Sequence, residues 1–96
     1  MFLIWVQLSL SLISGQMKKS IGSKEATRLA DWLKAEREAQ GLTMRALAEK
    51  LDVAHSFVGK VEQKERRLDV VEFLEYCQAL NVSPIEGLQF INPKLQ

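Results

Sequence analysis

The clearest pattern of apolar and polar residues lies between residues 43 and 62. Apolar side chains recur there at helical spacing in two short runs. They are Leu47, Ala48 and Leu51 in the first run and Val58 and Val61 in the second. The pattern predicts two short helices, over 44–51 and 55–62, joined by a tight turn. Because the second helix would present polar residues to solvent, the two form a helix-turn-helix unit.

Residues at the ends of these two helices support the assignment. Thr43 can cap the N-terminus of the first helix with its hydroxyl group. Asp52 takes the turn position after that helix, and Asp tolerates a left-handed backbone conformation better than most residues. Ala48 is small enough to let the two helices cross closely.

A longer helix is predicted before this unit, over about residues 24–40. Leu29, Trp32 and Leu33 share one face of it, so we expect them in the core. Gly41 would end the helix as a left-handed C-cap, because glycine adopts that conformation without steric cost.

Two more helices are predicted after the unit. The fourth helix begins near Asp69, where Asp69 and Glu72 form a D-x-x-E variant of the capping box, and it stops at Asn81. Ser83 and Pro84 supply an N-cap and a first-turn proline for the fifth helix.

The fifth helix carries more apolar residues than a short terminal helix can bury alone. They are Ile85, Leu88, Phe90 and Ile91. A dimer contact would cover them. Packing on the first helix beside Trp32 would also cover them, and both arrangements can occur in one protein.

Composition and charge are those of one small globular domain. The chain has 96 residues, of which 47% are hydrophobic and 26% charged, and its net charge is +1. The charge is polarised, because residues 17–42 and 43–67 each carry six Lys/Arg against four Asp/Glu, whereas residues 68–96 carry only Lys94 against four acidic residues. A nucleic-acid partner would therefore meet a local basic surface in the first two segments.

The chain offers little chemistry for catalysis. Its single cysteine, Cys77, excludes an internal disulfide and a cysteine-based metal cluster. Cys77 lies on the apolar side of the fourth helix, so we expect a small core residue rather than a reactive thiol. No HExxH, GxSxG or phosphate-binding glycine motif is present. The sequence therefore predicts no enzyme, no metal site and no cofactor.

Residues 1–16 differ from the rest of the chain. They are mostly apolar and uncharged, but the run is too short to span a membrane and lacks the positively charged start of a signal peptide. Met17 opens a segment that reads like a natural start, so we favour an upstream-start artefact. An added dimer strand and an export or anchor segment are the alternatives. The all-α, five-helix domain is accordingly assigned to residues 17–96.

The motif FVGKVEQKERRLDVVEF runs from the second helix of the unit into the fourth helix. With the helices around it, the segment from about Leu29 to Phe90 resembles the Cro/repressor type of helix-turn-helix domain, the xenobiotic-response-element family. The resemblance implies a compact lambda-repressor-like domain. It also implies a cytoplasmic homodimer that binds duplex DNA sequence-specifically and regulates transcription as a repressor.

The resemblance implies roles for three sets of residues. Those that face DNA bases are His55, Ser56, Gly59 and Lys60. Those that contact DNA phosphates are Thr43, Gln63, Lys64, Arg66 and Arg67. A bidentate ion pair between Arg37 and Glu62 would clamp the first helix onto the third, the recognition helix.

Three residues depart from the family pattern. Met44 and His55 stand where relatives often have glutamine, and Gly59 stands where serine is common. Met44 cannot donate a hydrogen bond to DNA, and Gly59 weakens its helix. We therefore expect limited direct readout of bases and a larger share for DNA shape. Phe57 occupies a position that is usually apolar and is expected to pack in the core.

Two other functions are compatible with the same fold. The antitoxin of a toxin–antitoxin pair would bind both DNA and a partner toxin. A protein-interaction module would keep the fold without binding DNA, which Met44 and Gly59 favour. A third alternative makes residues 1–16 a membrane anchor.

Overall fold

The computed structural model describes residues 23–95, which form five α-helices and contain no strand. The helices are α1 (Lys24–Ala39), α2 (Met44–Leu51), α3 (His55–Glu62), α4 (Val70–Leu80) and α5 (Pro84–Ile91), followed by a 3-10 turn (Pro93–Leu95). The predicted all-α, five-helix architecture is confirmed. The predictions for residues 1–16 and for Met17 lie outside the described residues.

The core lies where α1, α2, α3 and α4 meet. Its most buried side chains include Leu33, Leu47, Val58 and Leu80, each fully removed from solvent. Cys77 is also buried, and this burial raises the pKa of its thiol to about 11, so the group stays protonated at neutral pH. The prediction that Cys77 is a core residue is confirmed.

The first four helices all end with a residue in the left-handed conformation. These residues are Gly41, Asp52, Lys64 and Asn81, with φ angles of 70°, 58°, 67° and 57°. At each end the next residue donates its N–H to a carbonyl one turn back, as Val53 does to Ala48 at 3.0 Å. The sequence predicts the role of Gly41, Asp52 and Asn81. It does not predict Lys64, whose Cβ makes this conformation unfavourable.

Side-chain caps begin four of the helices. Ser23, Thr43 and Ser83 each accept a hydrogen bond from a backbone N–H in the first turn of α1, α2 and α5. Asp69 and Glu72 form the predicted capping box, in which Asp69 Oδ1 accepts from Glu72 N at 2.7 Å and Glu72 Oε1 accepts from Asp69 N at 3.0 Å. The capping box fixes the residue at which α4 starts.

The last helix packs mainly on α1. Gly87 of α5 lies directly against the Trp32 ring, and Arg28 donates to the carbonyl of Ile91 at 3.3 Å. The packing of α5 beside Trp32, one of the two alternatives given by the sequence, is therefore present. Ile85, Leu88 and Phe90 nevertheless remain 44–61% exposed. This helix thus has a second, uncovered apolar face.

We predict that Gly87→Ala destabilises the protein by about 1–3 kcal/mol, because its new methyl group overpacks the interface between α1 and α5. A Cβ at this position would lie 2.7 Å from Trp32 Cζ3, closer than real Cβ atoms approach. Urea denaturation measures the change in the free energy of unfolding.

Gly59→Ala is the matched control, since Gly59 is also helical. A Cβ there meets only Met44 Sδ at 3.8 Å, an ordinary contact. We expect this variant to gain up to about 1 kcal/mol from the better helix propensity of alanine. Equal effects at the two glycines would contradict the predicted clash with Trp32.

Candidate nucleic-acid interface

The helix-turn-helix unit is formed by α2 and α3, and α3 has two distinct faces. Val58 and Val61 point into the core and are at most 4% exposed. His55, Ser56 and Lys60 are exposed, while Gly59 beside them is half-buried. These four candidate base-facing residues recur at helical spacing and therefore share one side of α3. The helix can present that side to a major groove.

Met44, at the start of α2, lies beside the middle of α3. Its Sδ atom would be 3.8 Å from a Cβ built at Gly59, so the thioether occupies space next to that glycine. The side chain of Met44 is 41% exposed. The contact places an apolar group at the rim of the presented face of α3, where a glutamine would bring a hydrogen-bonding group.

A buried ion pair joins α1 to the end of α3. Arg37 Nε lies 2.6 Å from Glu62 Oε2, and Arg37 Nη2 lies 3.1 Å from Glu62 Oε1, so the guanidinium binds the carboxylate through two hydrogen bonds. The two side chains are 8% and 3% exposed. Arg37 Nη1 also donates to the carbonyl oxygen of Leu42 at 2.6 Å. A single guanidinium therefore connects α1, the loop before α2 and α3.

The pairing favours the charged form of the Arg37 guanidinium. Hydrogen bonding to Glu62 is the main cause that raises the pKa of Arg37, although burial acts in the opposite direction. Buried charges need such a partner, because an unpaired one would lose its hydration without compensation. The paired geometry implied by the family resemblance is present here between Arg37 and Glu62.

Four of the five candidate phosphate-binding residues lie exposed at the two ends of the unit. Thr43 precedes α2, and its Oγ1 accepts a hydrogen bond from Ala46 N at 3.0 Å. Gln63, Lys64 and Arg67 follow α3. The ammonium group of Lys64 lies 3.1 Å from a carboxylate oxygen of Asp31, in an ion pair that solvent reaches on both sides.

Arg66, the fifth candidate, is held differently. Its guanidinium donates from Nη1 to Glu72 Oε1 at 3.1 Å and from Nη2 to Glu72 Oε2 at 2.8 Å. The same group lies over the Phe57 ring, with Cζ 4.5 Å from the ring centroid. Phe57 itself is half-buried and packs against the core. The sequence signals the capping role of Glu72 but not its pairing with Arg66.

The Glu72 carboxylate is an ionised acceptor for three donors. Its pKa is lowered first by the hydrogen bonds from Arg66 and then by the backbone N–H of Asp69, and the pKa of Arg66 is raised by the same pairing. Both groups are therefore charged at neutral pH. One carboxylate thus caps α4 and binds the arginine that stacks on α3.

The remaining chemistry in residues 23–95 is limited. No group of three or more His, Cys, Asp and Glu side chains in this range could hold a metal ion. No helix in the same range combines the length and apolar character needed to cross a bilayer.

The fold and the presented face of α3 define a helix-turn-helix DNA-binding protein. A family model, described as Helix-turn-helix (HTH_3), matches residues 33–86, which is more than half of the chain. The chain belongs to this family of DNA-binding transcriptional regulators, of the XRE type. No curated protein matches the chain at a significant level.

Solved structures agree with this assignment. An XRE-family like protein from Pseudomonas syringae pv. tomato str. DC3000 is 35% identical, with a TM-score of 0.72 over 83% of this chain and 98% of that one. The restriction-modification controller protein C.AhdI from Aeromonas hydrophila is 29% identical, with a TM-score of 0.63 over 68% and 98%. The clp gene regulator ClgR from C. glutamicum is 25% identical, with a TM-score of 0.62 over 76% and 92%.

We predict that Glu62→Leu destabilises the protein by about 3–5 kcal/mol, because it leaves the buried Arg37 charge without its carboxylate. The double variant Arg37→Met/Glu62→Leu should recover most of that loss, since apolar side chains of similar volume replace both charges. Urea denaturation of the two variants measures the difference.

The exposed pair of Asp31 and Lys64 is the matched control. Asp31→Asn should cost less than about 1 kcal/mol, because solvent screens this ion pair. A double variant as unstable as Glu62→Leu alone would show that the loss does not come from an uncompensated charge on Arg37.

Proposed function

We propose that this protein binds duplex DNA sequence-specifically as a homodimer and represses transcription. The observation that carries the proposal is the exposed polar face of α3, held in place by the buried pair of Arg37 and Glu62. A recognition helix must keep a fixed orientation to read base edges, and this pair supplies a rigid attachment to α1.

The base-facing residues differ in what they can recognise. Lys60 can donate to guanine O6 and N7, and Ser56 can serve a base or a phosphate. His55 is a weaker donor that depends on its protonation state. Gly59 offers no side chain, so the backbone can approach the groove closely. With so few donors, we expect the helix to read few bases directly and to depend also on the shape of the DNA.

The proposed phosphate contacts flank the recognition helix. Thr43 precedes α2, whereas Gln63, Lys64 and Arg67 follow α3. Contacts on both sides of a groove fix the register of a helix on the duplex without reading its sequence. The N-terminus of α2 also directs backbone N–H groups outward, which suits a phosphate oxygen.

The homodimer is proposed to form through the uncovered apolar side chains of α4 and α5. They are Val70, Val71, Leu74, Ile85, Leu88 and Phe90, all at least 44% exposed. Val70 and Leu88 line one groove together with Phe73 and Ile91, so the two helices share a continuous apolar surface. A second copy can cover this surface through a two-fold axis. Two recognition helices would then meet half-sites about one helical turn apart.

Repression is the mode we propose because the described domain offers a DNA-binding face and an apolar face suited to dimer formation. A protein of this kind regulates by occupying a promoter. C.AhdI and ClgR, both similar to this chain, are named as a controller protein and a gene regulator. Because its partner is the chromosome of a cell, the proposed location is the cytoplasm.

A second candidate function is suggested by the same apolar surface. A different protein, such as a partner toxin, would cover the exposed residues of α4 and α5 as well as a second copy would. The protein would then be an antitoxin. It would sediment as a monomer when purified alone and form a stable complex with the product of a neighbouring gene.

The first test is selection of bound duplexes from a random DNA pool with the full chain near physiological salt. We expect an enriched palindrome. Lys60→Ala should reduce discrimination by about 1–3 kcal/mol at one position of each half-site, because it removes a base contact. Arg67→Ala should instead weaken all duplexes alike and lower the salt dependence of binding by about one phosphate contact.

Two results would contradict the proposal. Absence of enrichment, with binding only at low salt, would leave non-specific contact with phosphates as the whole interaction. Equal loss on all sequences for Lys60→Ala and Arg67→Ala would remove Lys60 from base recognition.

The dimer surface has its own test. Ile85 is 61% exposed, so Ile85→Glu can be accommodated in the folded monomer. It should convert the dimer to monomers, because a charge would be buried without a partner in the interface. Analytical ultracentrifugation measures the mass of the particle. Binding to the palindrome should also weaken, because a monomer cannot contact both half-sites at once.

Ala35→Glu adds the same charge at an exposed position of α1, outside the proposed dimer surface of α4 and α5, and is the control. We expect it to remain dimeric. An Ile85→Glu variant that stays dimeric would place the interface elsewhere. A wild-type chain that sediments as a monomer would contradict the homodimer and favour the antitoxin.

A further inference from the structure

We propose that Arg66 is a positioning residue for the recognition helix. It joins Phe57 of α3 to Glu72 of α4, and it acts on DNA binding through these two contacts rather than through a phosphate. This inference rests on the proposed function. It assigns a role in DNA binding to the connection between α3 and α4, residues 63–69.

The geometry commits the guanidinium of Arg66 to protein groups. Two of its nitrogens bind both oxygens of Glu72, at 3.1 and 2.8 Å, and Nη1 also donates to the carbonyl oxygen of Arg67 at 2.7 Å. A phosphate would have to compete with a carboxylate in the fork geometry that arginine favours.

A contact with the Phe57 ring links the Arg66 guanidinium to α3 as well. Phe57 is in the first turn of the recognition helix, next to the candidate base-facing residues His55 and Ser56. Arg66 lies over its ring at 4.5 Å, within the range in which a cation is attracted to an aromatic face. Displacing Arg66 would therefore remove one of the contacts that hold the turn of α3 that enters the groove first.

Glu72, at the α4 end of this connection, is also held in a fixed position. Glu72 accepts from the N–H of Asp69 as well as from Arg66, so its position is fixed by the cap of α4. The first turn of α4 therefore helps to hold the first turn of α3 in position through Arg66. Because α4 also carries part of the proposed dimer surface, the connection sets the angle of the recognition helix relative to the dimer axis.

A double-mutant cycle on DNA binding tests the proposal, using Arg66→Gln, Glu72→Gln and both together in the full chain. The duplex is the one that wild type enriches from the random pool. We expect each single variant to weaken specific binding by about threefold to tenfold, and the double variant to lose no more than either single one. Non-specific binding and the slope against salt should stay at wild-type values for Glu72→Gln.

Three controls separate this role from a phosphate contact. Glu75→Gln removes the same charge from an exposed position on α4 and should bind like wild type. Arg66→Lys keeps the charge but not the planar fork, so it should bind as poorly as Arg66→Gln. Arg67→Gln should lower the salt slope by about 0.9, the change for one lost phosphate contact.

The opposite results would overturn the proposal. If Arg66 binds a phosphate, Arg66→Lys keeps most of the affinity, Arg66→Gln lowers the salt slope like Arg67→Gln, and Glu72→Gln binds as well as wild type or better. Thermal unfolding of each variant confirms that the domain is folded at the temperature of the binding assay.

A measurement without DNA makes the outcome independent of the proposed function. Hydrogen exchange should show faster exchange of α3 amide protons in Arg66→Gln and Glu72→Gln than in Glu75→Gln or wild type. Unchanged protection of α3 would overturn the positioning role even if DNA binding is specific. A wild-type chain that enriches no duplex would overturn the proposed function instead, and the exchange data would still decide the role of Arg66.

Discussion

The attachment of α3 to α1 depends on one buried ion pair. Arg37 and Glu62 are far apart in sequence, and removing either side chain would leave the other buried without its partner. Buried ion pairs in general add little net stability compared with apolar side chains of the same volume, but they restrict geometry, because a planar guanidinium binds a carboxylate in few orientations. The third donor of Arg37 fixes the carbonyl of Leu42, so the start of α2 and the end of α3 are aligned on the same group of α1.

Most of the fold could be predicted because it is encoded locally. Helical periodicity placed all five helices, and the caps Thr43 and Asp69 placed their beginnings within a residue or so of those observed. Lys64 shows where local encoding fails. Nothing in its side chain favours φ of 67°, and the conformation comes from the way α3 must end before the chain turns towards α4. Such strain is set by tertiary packing and has no sequence signal of its own.

Only part of the candidate site could be predicted, because some of its features follow from local spacing and others from tertiary contacts. The exposure of His55, Ser56 and Lys60 follows from the apolar spacing of Val58 and Val61 on the opposite face. The partner of Arg66 does not follow from spacing. Glu72 already has a local role as the second half of a capping box, and its remaining acceptor capacity becomes available to Arg66 only when the connection folds back over Phe57.

If the proposed function holds, the two arginine–carboxylate pairs account for discrimination by a helix with few hydrogen-bond donors. Gly59 contributes no side chain and Met44 presents a thioether beside it, so a groove bound by α3 would meet few polar groups in the middle of the helix. Discrimination must then come from the accuracy with which the remaining donors and the backbone are placed. Glu62 attaches one end of α3 to α1, and Phe57 attaches the other to α4 through Arg66. A helix fixed at both ends can reject a duplex whose groove has the wrong width, even where no side chain reads the base.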